Sequence, residues 1–195
     1  MPLISRDDSL LIVVDLQPGF WGDRMDAGDA ASAVAATRRA AWLAAAATAL
    51  GIPAVVTEED MKRNGPTDAA VLAALGRGTP VFAKPVFGLA DCEDIMRAVR
   101  GTGRGTAVLV GFETDVCVTH SAVGLAESGY RVVVTEDAVY SPSGGHAAGL
   151  ARLRDLRFEL LTCKSVYYDW IRTLAAARAF TREHPDLARP PGFSL

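Results

Sequence analysis

The chain has 195 residues, half of them hydrophobic, with a formal net charge of −3. That length suits one domain, spanning residues 1–195, with a large buried core. Lysine and arginine are scattered without a run of like charge, which leaves no footprint for nucleic acid. No apolar stretch reaches the ~18 residues of a membrane span. The first nine residues lack a basic segment followed by an apolar one, so no secretory signal and a cytoplasmic location are expected.

The predicted elements alternate along the chain. Leu10 to Val14 reads as strand one and ends at Asp15; Asp29 to Leu50 is a long alanine-rich helix closed by Gly51. Pro53 to Thr57 is strand two, and Asp68 to Leu75 a short helix. Pro80 to Ala83 is strand three, running into Lys84 and Pro85, and Cys92 to Arg100 is a helix. Thr106 to Val110 is strand four; Thr114 to Ser128 is a helix closed by Gly129. Arg131 to Thr135 is strand five, His146 to Arg154 a helix, Phe158 to Leu161 strand six, and Val166 to Thr181 the last helix. Short Val/Ile/Leu-rich runs separated by helical patterns predict an α/β fold, a single-domain doubly wound three-layer sandwich with a six-stranded parallel sheet. Ligands in such folds bind beyond the carboxyl ends of the strands. The tail from Glu183 to Leu195 carries Pro185, Pro190 and Pro191, which excludes a further helix and predicts packing on the body or on a neighbour.

Three cysteines, Cys92, Cys117 and Cys163, are odd in number and widely spaced, a poor disulfide framework. The three histidines, His120, His146 and His184, are far apart, and no metal-finger spacing occurs. No metal site and no cofactor are expected.

Asp15, Lys84 and Cys117 lie at or just past the ends of strands one, three and four, which share one edge of a parallel sheet. With Thr114 or Asp115 as a helix cap, Cys117 falls in the first turn, where free N–H groups and the helix dipole favour an anion. That setting, and a nearby lysine, predict a thiol pKa below its ordinary value. The same N–H groups suit an oxyanion. The alternative for Cys117 is a small buried hydrophobe, for Asp15 a loop or capping carboxylate, and for Lys84 a solvated surface group.

The segments Val13-Val14-Asp15-Leu16-Gln17-Pro18-Gly19-Phe20 and Gly111-Phe112-Glu113-Thr114-Asp115-Val116-Cys117-Val118, with Lys84 between them, resemble the isochorismatase-like cysteine hydrolases. The run Ala126 to Ala138 also fits, and the resemblance covers roughly residues 8 to 175. It implies an Asp15-Lys84-Cys117 triad and a cis peptide between Phe112 and Glu113. It also implies an oxyanion site formed by the N–H groups of Glu113 and Cys117. The implied activity is hydrolysis of a C–N, amide-like bond of a small molecule through a thioester, by a homo-oligomer. The nicotinamidase branch binds a metal through histidines after strand two. Residues Thr57 to Asn64 hold none, which argues against a metal and against nicotinamide as substrate. True isochorismatases cleave a vinyl ether without the cysteine, so Cys117 argues against that reaction.

Gln17, Phe20 and Trp21 follow Asp15 and are candidates for substrate binding, Gln17 also for orienting Asp15; ordinary packing is the competing reading. His120, His146 and the Ser141–Gly145 loop, a candidate lid, stay open. Tyr167, Tyr168 and Trp170 suit either an interface or the core, and Cys92 and Cys163 read as packing residues. A catalytically silent binding or scaffold protein is the main alternative, and a redox-active Cys117 lacks a resolving cysteine nearby. Substituting Asp15 by Asn is expected to slow alkylation of Cys117.

Overall fold

A computed structural model describes residues 2–21 and 25–195. Strand β1 is Ser9–Val14, and every residue of it is buried. Leu11 and Val13 point into one apolar cluster and Leu10, Ile12 and Val14 into the other, so both faces of the strand are covered. The other strands are β2 (Ala54–Glu59), β3 (Val81–Lys84), β4 (Thr106–Phe112), β5 (Arg131–Tyr140) and β6 (Glu159–Leu161). They form one parallel sheet in the order β3-β2-β1-β4-β5-β6. The chain winds outward from β1 to β3, then returns to start again at β4. The switch therefore falls between β1 and β4, where the connections leave in opposite directions, the place at which folds of this kind hold their ligands.

The helices are α1 (Ala27–Ala49), α2 (Met61–Asn64), α3 (Ala69–Leu75), α4 (Glu93–Gly101), α5 (Thr119–Glu127), α6 (Gly145–Asp155), α7 (Cys163–Ile171) and α8 (Leu174–Glu183). Buried side chains of α1, α3, α7 and α8 share one cluster; those of α4, α5 and α6 share the other. The result is a three-layer sandwich. Helix α1 presents Ala33, Ala36, Ala40, Ala44 and Ala47, with Leu43, at helical spacing to the sheet. The Asp26 carboxylate caps it by accepting from the Asp29 N–H.

Several boundaries depart from the sequence expectation. Strand β5 runs on to Tyr140 because the ladder with β4 shifts register between Leu109 and Gly111 and then resumes at Gly111–Val139 and Phe112–Tyr140. Gly111 has φ of 125°, and a Cβ there would lie 1.9 Å from the Val14 carbonyl oxygen, so only glycine lets β4 pass β1. The single last helix is two, α7 and α8. Arg172 takes a left-handed φ of 66°, and Thr173 restarts the chain by capping α8 through the Ala176 N–H. The apolar pattern continues across this break, which hid it. Tyr167 and Trp170 are core, and Trp170 donates its indole N–H to Ser9 Oγ at 3.0 Å; Tyr168 and Leu174 remain exposed. The tail packs on the body: Trp42 donates to the Leu187 carbonyl at 2.9 Å and meets the Phe193 ring edge-on at 5.1 Å. No helix among the described residues is long and apolar enough to cross a membrane.

Candidate active site

Asp15, the first residue beyond β1, sits at φ 46°, a left-handed conformation that turns its side chain back over the sheet edge. Its N–H donates to the Thr57 carbonyl at 3.0 Å, and Oδ1 accepts from Thr57 Oγ1 at 2.7 Å. Lys84 closes β3, two strands away and about 10 Å distant across the sheet. A side chain of lysine's length spans that gap, and Nζ lies 2.6 Å from Asp15 Oδ2. The ammonium also donates to the carbonyls of Val86 at 2.8 Å and Phe87 at 2.9 Å. Both side chains are wholly buried.

Cys117 completes the cluster from the far side of the switch. The Phe112–Glu113 peptide is cis. Residues Thr114–Val118 then form a π-helical turn before α5 begins. The Glu113 carbonyl accepts from the Val116 and Val118 amides at 3.2 and 3.0 Å, passing over Cys117. The thiol is buried and close enough to the Asp15 carboxylate for each group to shift the other's ionisation. The three groups singled out at the strand ends are thus brought together.

The charge states differ from the sequence expectation. Burial pushes the Cys117 thiol up to about 12, the Asp15 charge pushes the same way, and the Lys84 ammonium offsets part of this. The thiol therefore rests protonated. The expected depression fails because the sulfur is buried and the Asp15 charge outweighs that of Lys84. Burial also raises the Asp15 carboxyl, against the pull of Lys84, Thr57 and Cys117. The expectation for Asp15→Asn reverses accordingly: removing the carboxylate removes a charge that holds the proton on sulfur.

Thr114 and Asp115 do not cap the helix. Thr114 Oγ1 lies 3.0 Å from His146 Nδ1, and its carbonyl accepts from Thr119 Oγ1 at 2.6 Å. Asp115 Oδ1 accepts from Ser141 Oγ at 2.6 Å. The Ser141–Gly145 loop is therefore tied to the turn, and Ser143 N–H donates to Asp29 Oδ2 at 2.9 Å. Burial lowers the His146 imidazole below its ordinary value. His120 is exposed, with its ring 5.9 Å from that of Phe87.

Gln17 does not orient Asp15. Its amide donates to the carbonyls of Glu59 and Gly65 at 3.0 and 2.6 Å and accepts from the Glu59 N–H at 2.7 Å. Fully buried, it clamps the end of β2. Trp21 packs on Phe112, with ring centroids 5.0 Å apart, and Phe20 is half-buried in the turn Pro18–Phe20. The region after β2 is used internally: Glu58 accepts from Thr67, and Glu59 from Asn64. Sequence reading named Thr114 as a cap and the Ser141–Gly145 loop as a lid, left His146 open, and gave Thr57 no role; it missed the contacts Thr57–Asp15, Thr114–His146 and Ser141–Asp115. For Thr57 the available signal was a polar residue closing the apolar run Ala54-Val55-Val56-Thr57.

A doubly wound parallel sheet with a carboxylate, an ammonium and a thiol converging at its switch point defines a class of α/β protein, and similarity to known proteins places the chain within it. The isochorismatase domain matches residues 9–165, and the chain belongs to the isochorismatase family of hydrolases. It is 30% identical over 144 residues to the protein named Probable hydrolase YcaC from Escherichia coli (strain K12), covering 69% of this chain and 68% of that one. The YcaC crystal structure, described as an octameric hydrolase of unknown specificity, has a TM-score of 0.77 at 24% identity and covers 94% of this chain and 92% of its own. The MAR1 ribonuclease of Caenorhabditis elegans has a TM-score of 0.76 at 25% identity, covering 98% and 97%. The nicotinamidase PncA of Bacillus subtilis has a TM-score of 0.67 at 16% identity, covering 79% and 99%.

Proposed function

We propose that the chain is a cysteine-dependent hydrolase that cleaves a C–N, amide-like bond of a small molecule through a thioester on Cys117. The observation that carries this reading is the buried Asp15–Lys84 pair at 2.6 Å with the buried Cys117 thiol beside it. A protonated thiol beside a carboxylate is a nucleophile paired with its base. Asp15 takes the S–H proton as sulfur attacks the carbonyl carbon. The carbonyl electrons move to oxygen, which the N–H groups of Glu113 and Cys117 hold. Collapse reforms the carbonyl and expels the amine, which takes the proton from Asp15. Water then gives a proton to Asp15 and attacks the thioester, and sulfur leaves, recovering that proton as the acid is released. The Lys84 side chain, 2.6 Å from Asp15, offsets whichever of Asp15 and Cys117 carries the negative charge. The likeness to a nicotinamidase fold fits amide chemistry, and the chain's net charge of −3 gives no support to an RNA substrate.

Ammonia release from a panel of small primary amides tests the reading. Cys117→Ala should abolish release, and Asp15→Asn should lower it by at least about 100-fold. If the native chain releases no more ammonia than Cys117→Ala on every amide, the alternative of a silent binding protein on this fold stands instead. A homo-oligomer belongs to the same reading, by analogy with the octameric YcaC. A single species at the monomer mass in sedimentation velocity would remove that part of it.

A further inference from the structure

The turn that carries Cys117 is held by a second set of residues outside the triad. Thr114, wholly buried, opens the turn, and its hydroxyl lies 3.0 Å from His146 Nδ1. His146 stands in the first turn of α6, and its ring packs on Tyr140 at 5.3 Å. Tyr140 in turn donates its hydroxyl to Asp29 at the start of α1. Helix α6 presses directly on the turn. A Cβ at Gly149 would lie 2.7 Å from the Asp115 amide nitrogen, and one at Gly145 would lie 2.7 Å from Asp115 Oδ2. The Thr114 hydroxyl is thus a polar group in a dry contact, with the imidazole as its partner across the interface.

We propose that Thr114 and His146 act as a positioning pair that fixes the π-helical turn and so sets the Cys117 sulfur against the Asp15 carboxylate. The inference rests on the hydrolase reading above and extends it to two residues outside the triad. An α-helical start would rotate the sulfur relative to Asp15. The wide turn is less regular than the helix it precedes, and side-chain bonds across the α6 contact supply what its backbone does not. Charged groups around the sulfur are Asp15, Lys84 and Glu59; those around the imidazole are Glu136, Arg154 and Asp115.

The rate of iodoacetamide alkylation at Cys117, read by peptide mass spectrometry on the full chain at pH 8, tests the pair without a known substrate. Iodoacetamide reads the thiolate already present and needs no proton carried to a leaving amine, so Asp15→Asn should raise that rate by removing the charge that opposes ionisation, although it removes the base that amide cleavage needs. Thr114→Val keeps the side chain's shape and removes only the hydroxyl. It should raise the rate about tenfold as the sulfur drifts from Asp15 and the thiol becomes easier to ionise. His146→Leu should do the same, and His146→Asn, which keeps a hydrogen-bonding atom near the Nδ1 position, should restore the native rate. The combined Thr114→Val, Asp15→Asn variant should label no faster than Asp15→Asn alone, since the pair acts through that contact. Cys163, wholly buried, must stay unlabelled throughout as the check on folding. Should His146→Leu expose Cys163, Thr114→Val decides. Native rates in Thr114→Val, or a multiplied rate in the combined variant, overturn the positioning role. An unchanged rate in Asp15→Asn overturns the hydrolase reading itself.

Discussion

A buried thiol held at about 12, against an ordinary value of 9.0, ties the chemistry of Cys117 to the stability of the fold. A folded-state pKa above the unfolded one stabilises the folded protein fully below pH 9, and that contribution drains away as pH rises through 12. The difference corresponds to up to about 4 kcal/mol. Burial moves Tyr167 the same way, from 10.0 to about 12, and raises Cys163 as well. Urea unfolding followed from pH 8 to 11 should therefore show a steep alkaline loss, and Cys117→Ala should flatten part of it. An equally steep loss in that variant would mean the thiol ionises in the folded protein as readily as outside it. At this scale the sequence was partly legible. Asp15, Lys84 and Cys117 stand out as polar or reactive groups where apolar strands stop. The sign of the thiol's shift was hidden, because it depends on how deeply the sulfur is buried and which neighbouring charge outweighs the other, and neither is written in spacing.

The elements repeat the lesson with geometry in place of charge. All six strands were placed from short apolar runs, and the alternation of Leu10 to Val14 between two clusters explains why the central runs have no polar face. Illegible were the features with no side-chain pattern: the π-helical turn at Thr114–Val118, the continuation of β5 past Thr135, and the break at Arg172. Gly111 links two of them. It lets β4 pass β1 just before the turn and stands where the β4–β5 register shifts. Gly111→Ala would place its methyl group against the Val14 carbonyl in a backbone conformation that alanine resists. The expected cost is ~3 kcal/mol or more, read as a lowered urea midpoint. A variant within about 0.5 kcal/mol of the native chain would show that the two strands can part locally without loss.

For the molecule as a whole, the sequence predicted a doubly wound sheet but carried no information on the order of its strands, which depends on where the chain doubles back. The order β3-β2-β1-β4-β5-β6 places the switch between β1 and β4, and that alone brings residue 15 next to residue 117. The proline-rich tail was expected to pack somewhere; the structure lays it over α1, with Phe193 against Trp42 and Pro190 buried. Phe193→Ala should lower the melting temperature by about 3 °C, in keeping with the loss of about 1 kcal/mol for an edge-on ring contact. An unchanged melting curve would mark the tail as a passive cover.

Lys84 carries one more implication. Two of its three protons are directed at main-chain oxygens of Val86 and Phe87, not at side chains. The ammonium thus recognises the path of that loop and is blind to its spelling. Phe87, half exposed, can be exchanged without disturbing the nitrogen beneath it. The segment is free to diversify, and with it whatever the loop greets, while the chemistry below stays wired as it is.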